Sequence, residues 1–525
     1  MHMVQRLNPG IFILIFLCAA MYTFFPLKLQ AVESYIYATA IEGNYDIRST
    51  FAEANPGARL PDFARLHPNH PLPHFLAGKL FDKFGFSALD SMRVINLFAA
   101  LIAVIFIYLI CCQVLTDRAS ALLGAALAAS TSVFWGSALS GEVHMLAFAL
   151  LTVAGYYLVR FLSAAAFDKT TFCLAAFYFT LAGIIHLAAL YLVLPVLPAL
   201  WIKARADKSP QKNGRLYVTI AALCLLGLIL VYVLLPVMYY GFTNRKDFLD
   251  FFSIYAHLKT PELRGLAWLE TITGAYLQSF IGGTGTWTTL TRVALTLCLL
   301  WGYALLLKSG AHWTLKTLFL AAPLAYFNFF FTVRPDAING WLFVLPSTAI
   351  AGAFAFQRLR LAVGTHLFSY ALTLAVAAAV FFAAIFPNAK LKPEDYAYLS
   401  EFQPTGLHGK NAIVITKDPV LTFPDVYAFS HRRDFSAFKI IWACCGRTAY
   451  LEDLKSAILK REVQLIISDD LGDNIHKFLH QLKQTYNIVF EKSGIVQASW
   501  LPSSIYFTRP EGYIIRKRMQ VIRLD

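Results

Sequence analysis

Ionisable side chains that could carry out chemistry concentrate in the segment 31–91, between the first two long apolar stretches of the chain. Glu33 and Asp46 are carboxylates, and a carboxylate can accept a proton from an attacking hydroxyl group. His67 and His70 follow in the proline-rich run HPNHPLPHF, and an imidazole can contact a phosphate or bind a metal ion. A connection of this length is usually functional or disordered, and its aromatic and apolar content argues against disorder.

Each of these residues also has a purely structural interpretation. Glu33 could mark the end of the first apolar helix, and Asp46 could cap a turn or a following helix. His67 and His70 could hydrogen-bond to the backbone of a proline-rich bend. Both interpretations stay open for all four residues.

The composition fixes the class of protein. Of the 525 residues, 58% are hydrophobic and 14% are charged, and the mean hydropathy is +0.57. Such a chain is too apolar for a soluble protein, and we expect a polytopic α-helical membrane protein. Stretches near the roughly 20 residues that cross a bilayer predict spans. These are 10–27, 94–115, 119–139, 143–162, 216–238, 289–307, 315–333, 337–356 and 362–386.

Positive charge in short loops predicts the orientation of these spans. The basic residues of every second loop fit the cytoplasmic side, but the strongest basic loop, 203–215, fits only if 171–201 crosses and returns as two short helices or a re-entrant hairpin. The pattern then predicts about eleven spans, with the N-terminus in the cytosol and the C-terminus outside. The segments 31–91, 140–143 and 241–288 are predicted to be external.

Three further candidates lie next to predicted spans. Glu142 and His144, in FWGSALSGEVHML, occupy a tight external loop, where they belong either to a site or to a solvated turn. Arg334, in FFFTVRPDAINGW, can clamp a phosphate or extend its guanidinium to the membrane interface. His186 lies inside the predicted hairpin and is interpreted as structural.

The formal charge of +14 does not predict a nucleic-acid partner, because the basic residues before Pro387 cluster in the predicted cytoplasmic loops. Part of the charge could instead serve contact with membrane lipid phosphates. The eight cysteines show no metal-ligand spacing. The predicted spans carry almost no internal acids or bases and no inverted repeat, which disfavours a transporter.

The periodicity changes after Pro387. Short β-type runs at 412–416, 463–468, 487–491 and 504–508 alternate with helical patterns at 451–462 and 471–486. The sequence therefore predicts two domains: a transmembrane domain 1–386, which includes the external loop 31–91, and an extracytoplasmic α/β domain 387–525.

The order of these features resembles the GT-C membrane glycosyltransferases. The resemblance rests on the acidic loop after the first span, HPNHPLPHFLAGKLF, MRVIN at 92–96, and FWGSALSGEVHML. More narrowly, the chain resembles the bacterial and animal proteins related to protein O-mannosyltransferases, in which a HPPGYPL-type motif precedes the second span and an AEVY-type motif precedes the fourth. The run AIVITKDPVLTFPDVYAFSHRRDF is similar to the start of the soluble domain in bacterial members. This chain departs in having His-Pro-Asn-His for His-Pro-Pro-Gly, and Glu33 where the family has an Asp followed by a second acid.

The resemblance implies a transferase that moves a sugar from a polyprenyl-phosphate donor to an acceptor protein, lipid or glycan on the external membrane face. It implies a general base, for which Glu33 is the first choice and Asp46 the competitor. The implied donor-phosphate or substrate-binding residues are His67, His70, Glu142, His144 and Arg334. A divalent cation is a candidate cofactor without assigned ligands. The expected location is the bacterial inner membrane, with the C-terminal domain in the periplasm.

Two other classes of function compete with this interpretation. A non-catalytic scaffold would use the membrane domain to present the C-terminal domain, and a transporter would need polar residues along a midplane path. Consumption of lipid-linked sugar by the purified protein separates an enzyme from both.

Overall fold

The computed structural model describes the following residues: 9–27, 34, 37–38, 41, 71–206, 224–230, 266–282, 286–332, 339–390, 411–416, 437–442, 465–468, 480, 484, 488–499 and 514–524. Among the sequence-based expectations, those for Glu33, Asp46, His67, His70 and Arg334 fall outside the described residues, as does the predicted strand 504–508.

Among the described residues before 391, the regular elements are helices. The α-helices are α1 (Pro9–Phe24), α2 (Pro71–Phe84), α3 (Ala88–Val114), α4 (Arg118–Ala129), α5 (Ser132–Leu139), α6 (His144–Ser163), α7 (Lys169–Ile185), α8 (Val193–Ala206), α9 (Leu266–Phe280), α10 (Thr286–Lys308), α11 (Trp313–Thr332), α12 (Leu345–Val363), α13 (Leu367–Val380) and α14 (Phe386–Ala389). Two 3₁₀ helices, Leu187–Leu192 and Asn339–Val344, precede α8 and α12, and a π-helical turn, Phe381–Ile385, joins α13 to α14.

The predicted spans coincide with helices wherever the chain is described. Within the described residues, five helices are long and apolar enough to cross a membrane, or up to six if a bent pair counts as one span, and three shorter apolar helices accompany them. The total of eleven spans stays a prediction. The longest helix, α3, begins where Ser87 Oγ accepts the Asp90 N–H at 3.1 Å, and its 27 residues reach about 40 Å.

The predicted span 119–139 is a broken helix. α4 and α5 meet at an angle of 63°, and a new helix starts because Thr131 Oγ1 accepts the Phe134 N–H at 3.4 Å. Ser130 Oγ, at the same break, donates to the carbonyl of Ala126 at 2.8 Å. The Thr131 hydroxyl thus satisfies an N–H group that the start of the new helix leaves without a helical partner, which a broken helix inside a bilayer requires.

The segment 171–201 forms the two short helices that the charge pattern predicts. α7 ends at Ile185, and α8 runs back, so that Lys203 Nζ donates a hydrogen bond to the carbonyl of Ala164, just before α7. The Lys203 ammonium also lies 5.8 Å from the centre of the Phe161 ring. The chain therefore returns to the end of the bundle from which it started, in agreement with the predicted hairpin.

Close helix packing depends on small residues. A Cβ on Gly302 of α10 would lie 1.9 Å from the carbonyl oxygen of Ala351 in α12, and a Cβ on Gly124 of α4 would lie 2.5 Å from that of Ala349. Helix α12 therefore touches both neighbours backbone to backbone, which is how helices in lipid gain contact. α9 lies in the segment 241–288, which was predicted to be external and in which no helix had been located from the sequence.

The C-terminal part contains a five-stranded sheet with the order β2-β1-β3-β5-β4. The strands are β1 (Asn411–Thr416), β2 (Ala437–Trp442), β3 (Leu465–Ser468), β4 (Ile488–Ser499) and β5 (Ile514–Leu524). β1 pairs with β2 and β3 in parallel, whereas β5 pairs antiparallel with both β3 and β4. Three predicted strands coincide with β1, β3 and the start of β4. β2 and β5 were not predicted, and β5 has four basic residues among its eleven.

Candidate functional site

The candidate site forms at the connection between α5 and α6. α5 ends at Leu139 and α6 starts at His144, so four residues make the turn. Ser140 and Glu142 are buried, with Glu142 only 1% exposed. The Glu142 N–H donates to Ser140 Oγ at 3.3 Å, which closes the turn on itself. The turn is thus a packed element and not the solvated loop that was the alternative interpretation.

Asn96 of α3 hydrogen-bonds to the backbone of this turn. Its Nδ2 donates to the carbonyl of Ser140 at 2.8 Å and also to the carbonyl of Glu142. Buried carbonyls need partners, and a side-chain amide supplies two donors in one place. Arg93, one turn earlier, donates to the carbonyl of Leu27 and lies 3.2 Å from Asp90. The motif MRVIN therefore fixes α3 to the end of the first helix and to the Glu142 turn.

The segment after the first helix also reaches the turn. Ser34, which is fully buried, accepts a hydrogen bond from the Gly141 N–H at 3.1 Å through its Oγ. Ser34 is the covalent neighbour of Glu33, the first choice for the general base. The contact joins two sequence-predicted regions that are 107 positions apart.

Glu142 and His144 form a direct pair. His144 Nδ1 lies 3.1 Å from Glu142 Oε2, and the His144 side chain is 18% exposed. This distance allows an Nδ1–H of His144 to donate a hydrogen bond to the carboxylate of Glu142. A buried carboxylate is stable when it has such a partner. The sequence analysis grouped these two residues, and the structure brings them together.

His186 joins this pair, although the sequence analysis assigned it to the structural framework. The imidazole rings of His144 and His186 have centres 4.4 Å apart and are tilted by 41°. His186 Nδ1 accepts the Ala188 N–H at 3.0 Å, which caps the 3₁₀ helix at the break of the hairpin. The signal in the sequence was a lone ionisable residue in an apolar stretch, which in a membrane protein indicates a functional position.

Two stacked aromatic side chains, Phe343 and Tyr326, form an aromatic wall next to His186. The Phe343 ring lies 6.1 Å from that of His186 and stacks on Tyr326 at 5.7 Å. The Tyr326 hydroxyl donates to the carbonyl of Ala188 at 2.7 Å. Both backbone groups of Ala188 are therefore bonded to side chains, which fixes the hairpin break beside the histidines.

An apolar cavity of about 490 Å³ extends from this wall between α6, α7, α8 and α11. Phe343 lines it at the histidine side, and Trp201 and Ala204 line it near the basic end of α8. Along α6 the lining runs from Leu151 to Val159, a distance of about 12 Å at the helical rise. The cavity has the chemistry to hold a chain of hydrocarbon, and at one end its lining residue Phe343 lies next to His186.

Among the described residues, no group of three or more His, Cys, Asp or Glu side chains lies close enough to hold a metal ion. Of the seven predicted site residues, the structure places Glu142 and His144 together. The convergence of His67, His70 and Arg334 on the same site stays a prediction.

Comparisons with known proteins give a match in structure alone. No family model and no curated protein matches the chain. The crystal structure of ArnT from Cupriavidus metallidurans in the apo state matches with 11% identity and a TM-score of 0.57, and that of the same protein bound to undecaprenyl phosphate with 10% identity and a TM-score of 0.59. Each of these two matches covers 97% of both chains.

A third structure, arabinofuranosyltransferase AftD from Mycobacteria, matches with 13% identity and a TM-score of 0.50. That match covers 98% of this chain and 40% of AftD. These matches confirm the resemblance in fold, whereas the narrower resemblance to O-mannosyltransferase relatives stays a prediction. The full-length agreement in helix arrangement establishes that the chain has the fold of the GT-C membrane glycosyltransferases.

Proposed function

We propose that the protein is a membrane glycosyltransferase that moves a sugar from a polyprenyl-phosphate donor to an acceptor protein, lipid or glycan on the external face of the membrane. The observation that carries the proposal is the Glu142–His144 pair, which is linked through the His186 ring to the cavity residue Phe343, in a fold shared with ArnT bound to undecaprenyl phosphate. A polyprenyl phosphate combines a hydrocarbon tail with an anionic head, and the site offers surroundings for both.

The chemistry assigns a role to each part of the site. An acceptor oxygen or nitrogen attacks the anomeric carbon, and the bond from that carbon to the phosphate oxygen breaks. The electron pair leaves with the phosphate, and the acceptor's proton passes to a carboxylate. We assign this base to Glu33, with Asp46 as the competitor. The contact of the neighbouring Ser34 with Gly141 supports Glu33, because it brings this part of the chain to the Glu142 turn.

The donor phosphate is assigned to His67, His70 and Arg334 together with the Glu142–His144 pair. Imidazole and guanidinium groups donate hydrogen bonds to phosphate oxygens and offset the charge that develops on the leaving group. The isoprenoid tail is assigned to the apolar cavity. A divalent cation is a further candidate, which would offset the charge of the phosphate; among the described residues, no group of three or more His, Cys, Asp or Glu side chains could hold it.

The location follows from the loop charges. We place the protein in a bacterial inner membrane, with the candidate site and residues 387–525 on the periplasmic side. The α/β character of this C-terminal domain is supported by its five strands and by the helical residues 480 and 484.

The test is donor consumption by the purified full-length protein in lipid nanodiscs. A panel of undecaprenyl-phosphate-linked pentoses and hexoses would be supplied with a membrane extract as acceptor source, and free undecaprenyl phosphate would be measured by mass spectrometry. We expect at least one donor to be consumed. The variant Glu142→Gln, which removes the charge partner of His144, should lower turnover by roughly 100-fold or more.

Consumption of none of these donors, by protein whose thermal unfolding shows that it is folded, would contradict the proposal. It would favour the alternative of a non-catalytic scaffold that presents the C-terminal sheet.

A further inference from the structure

We propose that Trp201 makes the donor site selective for long polyprenyl chains, because it lines the end of the apolar cavity opposite the Glu142 turn. The inference rests on the proposed function, which assigns the donor phosphate to that turn and the isoprenoid tail to the cavity. It adds a residue that determines specificity for the lipid part of the donor, whereas the other assigned residues act on the phosphate or on the acceptor.

The two ends of α6 fix the position of Trp201 relative to the site. His144 is the first residue of this helix, whose 20 residues extend about 30 Å. Lys203, two positions after Trp201, donates a hydrogen bond to the carbonyl of Ala164, which directly follows the other end of α6. Trp201 therefore lies near the end of the bundle opposite His144.

The cavity extends between these two ends. Phe343 lines it next to His186, and Trp201 and Ala204 line it at the other end. Along the chain its lining begins at Leu192, directly before α8, and ends at Ala204, about 18 Å away at the helical rise. This length exceeds half of the roughly 30 Å hydrocarbon core of a bilayer. Only a long hydrocarbon chain can therefore contact both Phe343 and Trp201.

The described residues that line the cavity recognise hydrocarbon, because none of them carries a charged side chain. The hydroxyl of Ser347 donates to the carbonyl of Phe319, and the thiol of Cys224 donates to the carbonyl of Ala176 at 3.8 Å. Both polar groups are thus bonded to the backbone. A tail in the cavity is recognised by the apolar area that it buries, and this area grows with the length of the chain.

Arg205 restricts the position of the Trp201 ring. Its guanidinium carbon lies 3.7 Å from the centre of the ring, in the geometry of a cation–π contact. The Trp201 side chain is 56% exposed, so this contact limits rotamers that would otherwise be open to it. The ring is therefore held at the end of the cavity, where the far part of a long tail contacts it.

Tryptophans near helix ends also act as interfacial anchors, and Trp313 is the matched control for that role. It is the first residue of α11, is 63% exposed, and has the Lys316 ammonium 4.8 Å from the centre of its ring. Trp313 thus shares the residue type, the exposure and the cation contact of Trp201. It does not line the cavity.

Affinities for undecaprenyl phosphate and geranyl phosphate would be measured with the full-length protein in lipid nanodiscs, with partitioning into empty nanodiscs subtracted. The main chain of geranyl phosphate extends at most about 11 Å at carbon–carbon bond lengths near 1.5 Å, so from the Glu142 turn it does not reach Trp201. The variants are Trp201→Ala, Trp201→Phe and Trp313→Ala. The thermal midpoint of each variant would be measured in the same samples.

We expect the wild-type protein to bind undecaprenyl phosphate at least roughly tenfold more tightly than geranyl phosphate. Trp201→Ala should bind undecaprenyl phosphate about tenfold more weakly and geranyl phosphate as the wild-type protein does, because only the long tail loses contact area. Trp201→Phe should keep most of the affinity for undecaprenyl phosphate. Trp313→Ala should leave both affinities unchanged.

An equal loss for both lipids in Trp201→Ala, no loss for either, or the same loss in Trp313→Ala would overturn the role of Trp201 and leave the proposed function standing. Equal affinity of the wild-type protein for the two phosphates would also overturn it, since the far part of the tail would then contribute nothing to binding. Binding of neither phosphate would instead contradict the proposed function, and the inference with it.

Discussion

At the scale of single residues, the buried Glu142 turn shows how few side chains define the candidate site. Asn96 binds two carbonyls of the turn, Ser34 accepts its Gly141 N–H, and His144 compensates its carboxylate. Asn96 and Ser34 come from distant parts of the chain, whereas His144 begins α6 directly after the turn. The turn is therefore a point where four segments meet, and a change in any one of them alters the others.

The identity of the general base is decided by neutral variants of the two candidate carboxylates. We expect one of Glu33→Gln and Asp46→Asn, but not both, to abolish turnover while undecaprenyl-phosphate binding stays nearly unchanged. Loss of a proton acceptor affects the chemical step more than binding of the ground state. Single-turnover rates and donor affinities of the purified variants check this, and Glu33 is the first choice. Wild-type rates in both variants would place the base elsewhere.

Asp117, at the start of α4, makes the stability of the folded protein depend on pH. It accepts hydrogen bonds from Ser120 at 2.6 Å and Ala119 at 3.3 Å, and Arg360 lies at 2.8 Å. Burial raises the pKa of this carboxyl, but the hydrogen bonds from Ser120 and Arg360 outweigh it and hold the pKa below its ordinary value. A depressed carboxyl pKa stabilises the fold fully above the ordinary value and loses this effect as pH falls through the folded value.

We therefore expect the thermal midpoint of the wild-type protein to fall as pH drops below about 4, and Asp117→Asn to lose part of that fall. The contribution should be below about 1 kcal/mol, because Arg360 is half exposed. Arg360→Gln should remove a smaller part of the fall in the thermal midpoint, since the hydrogen bond from Ser120 to Asp117 remains. An identical pH profile for Asp117→Asn and the wild-type protein would contradict this account.

At the scale of elements, two arrangements position the site. The hairpin of α7 and α8 turns at His186 and carries this residue to the Glu142 turn, while the bend between α4 and α5 directs α5 toward the same place. Both are interruptions of apolar helices, and in each a side chain accepts a freed backbone N–H group: His186 that of Ala188, and Thr131 that of Phe134. Broken helices thus bring polar groups together inside a largely apolar bundle.

The contact between α10 and α12 yields a test of packing. In Gly302→Ala the new Cβ would meet the carbonyl of Ala351 at 1.9 Å, so the helices must separate, and we expect a loss of roughly 1–3 kcal/mol in stability. Gly274→Ala in α9 is the matched control, because its Cβ meets nothing within 4 Å. This control should be neutral or stabilise the helix by about 0.5–1 kcal/mol. Thermal unfolding of both variants checks the difference, and equal midpoints would refute the close approach.

At the scale of the whole molecule, contacts between connections agree with the predicted sides of the membrane. Lys203 donates a hydrogen bond to the carbonyl of Ala164, and Asp117 forms an ion pair with Arg360. All four residues lie at helix ends that the loop charges assign to the cytoplasmic side. Ser34 reaches Gly141, and both belong to segments assigned to the outside. Among the described residues, no hydrogen bond or ion pair joins a connection assigned to the cytoplasm to one assigned to the outside, so the bundle is consistent with one orientation.

Cysteine labelling tests that orientation. In a Cys444→Ser, Cys445→Ser background, a cysteine introduced by Ser209→Cys should react with a membrane-impermeant reagent only after permeabilisation, because 203–215 is predicted to be cytoplasmic. A cysteine introduced by Thr284→Cys, in a segment predicted to be external, is the matched control and should react in intact cells. Labelling at position 209 in intact cells would overturn the eleven-span topology.

The sequence by itself determined the class of protein and most of its helices. A run of about 20 apolar residues has one low-energy arrangement in lipid, a helix whose backbone bonds are internal, so hydropathy alone locates it. Alternation of apolar residues located β1, β3 and the start of β4 for a similar local reason. The Glu142–His144 candidate was equally visible, because an ionisable pair between two apolar spans stands out against them.

Tertiary structure decided what depends on distant partners. The helix α9, the bend at Ser130 and the strands β2 and β5 are stabilised by contacts that no local window contains. His186 became a candidate only because the hairpin stacks it on His144, and Ser34 only because it meets Gly141, 107 positions away. A side chain's neighbours are fixed by packing over the whole bundle, whereas its sequence context fixes only the element in which it lies.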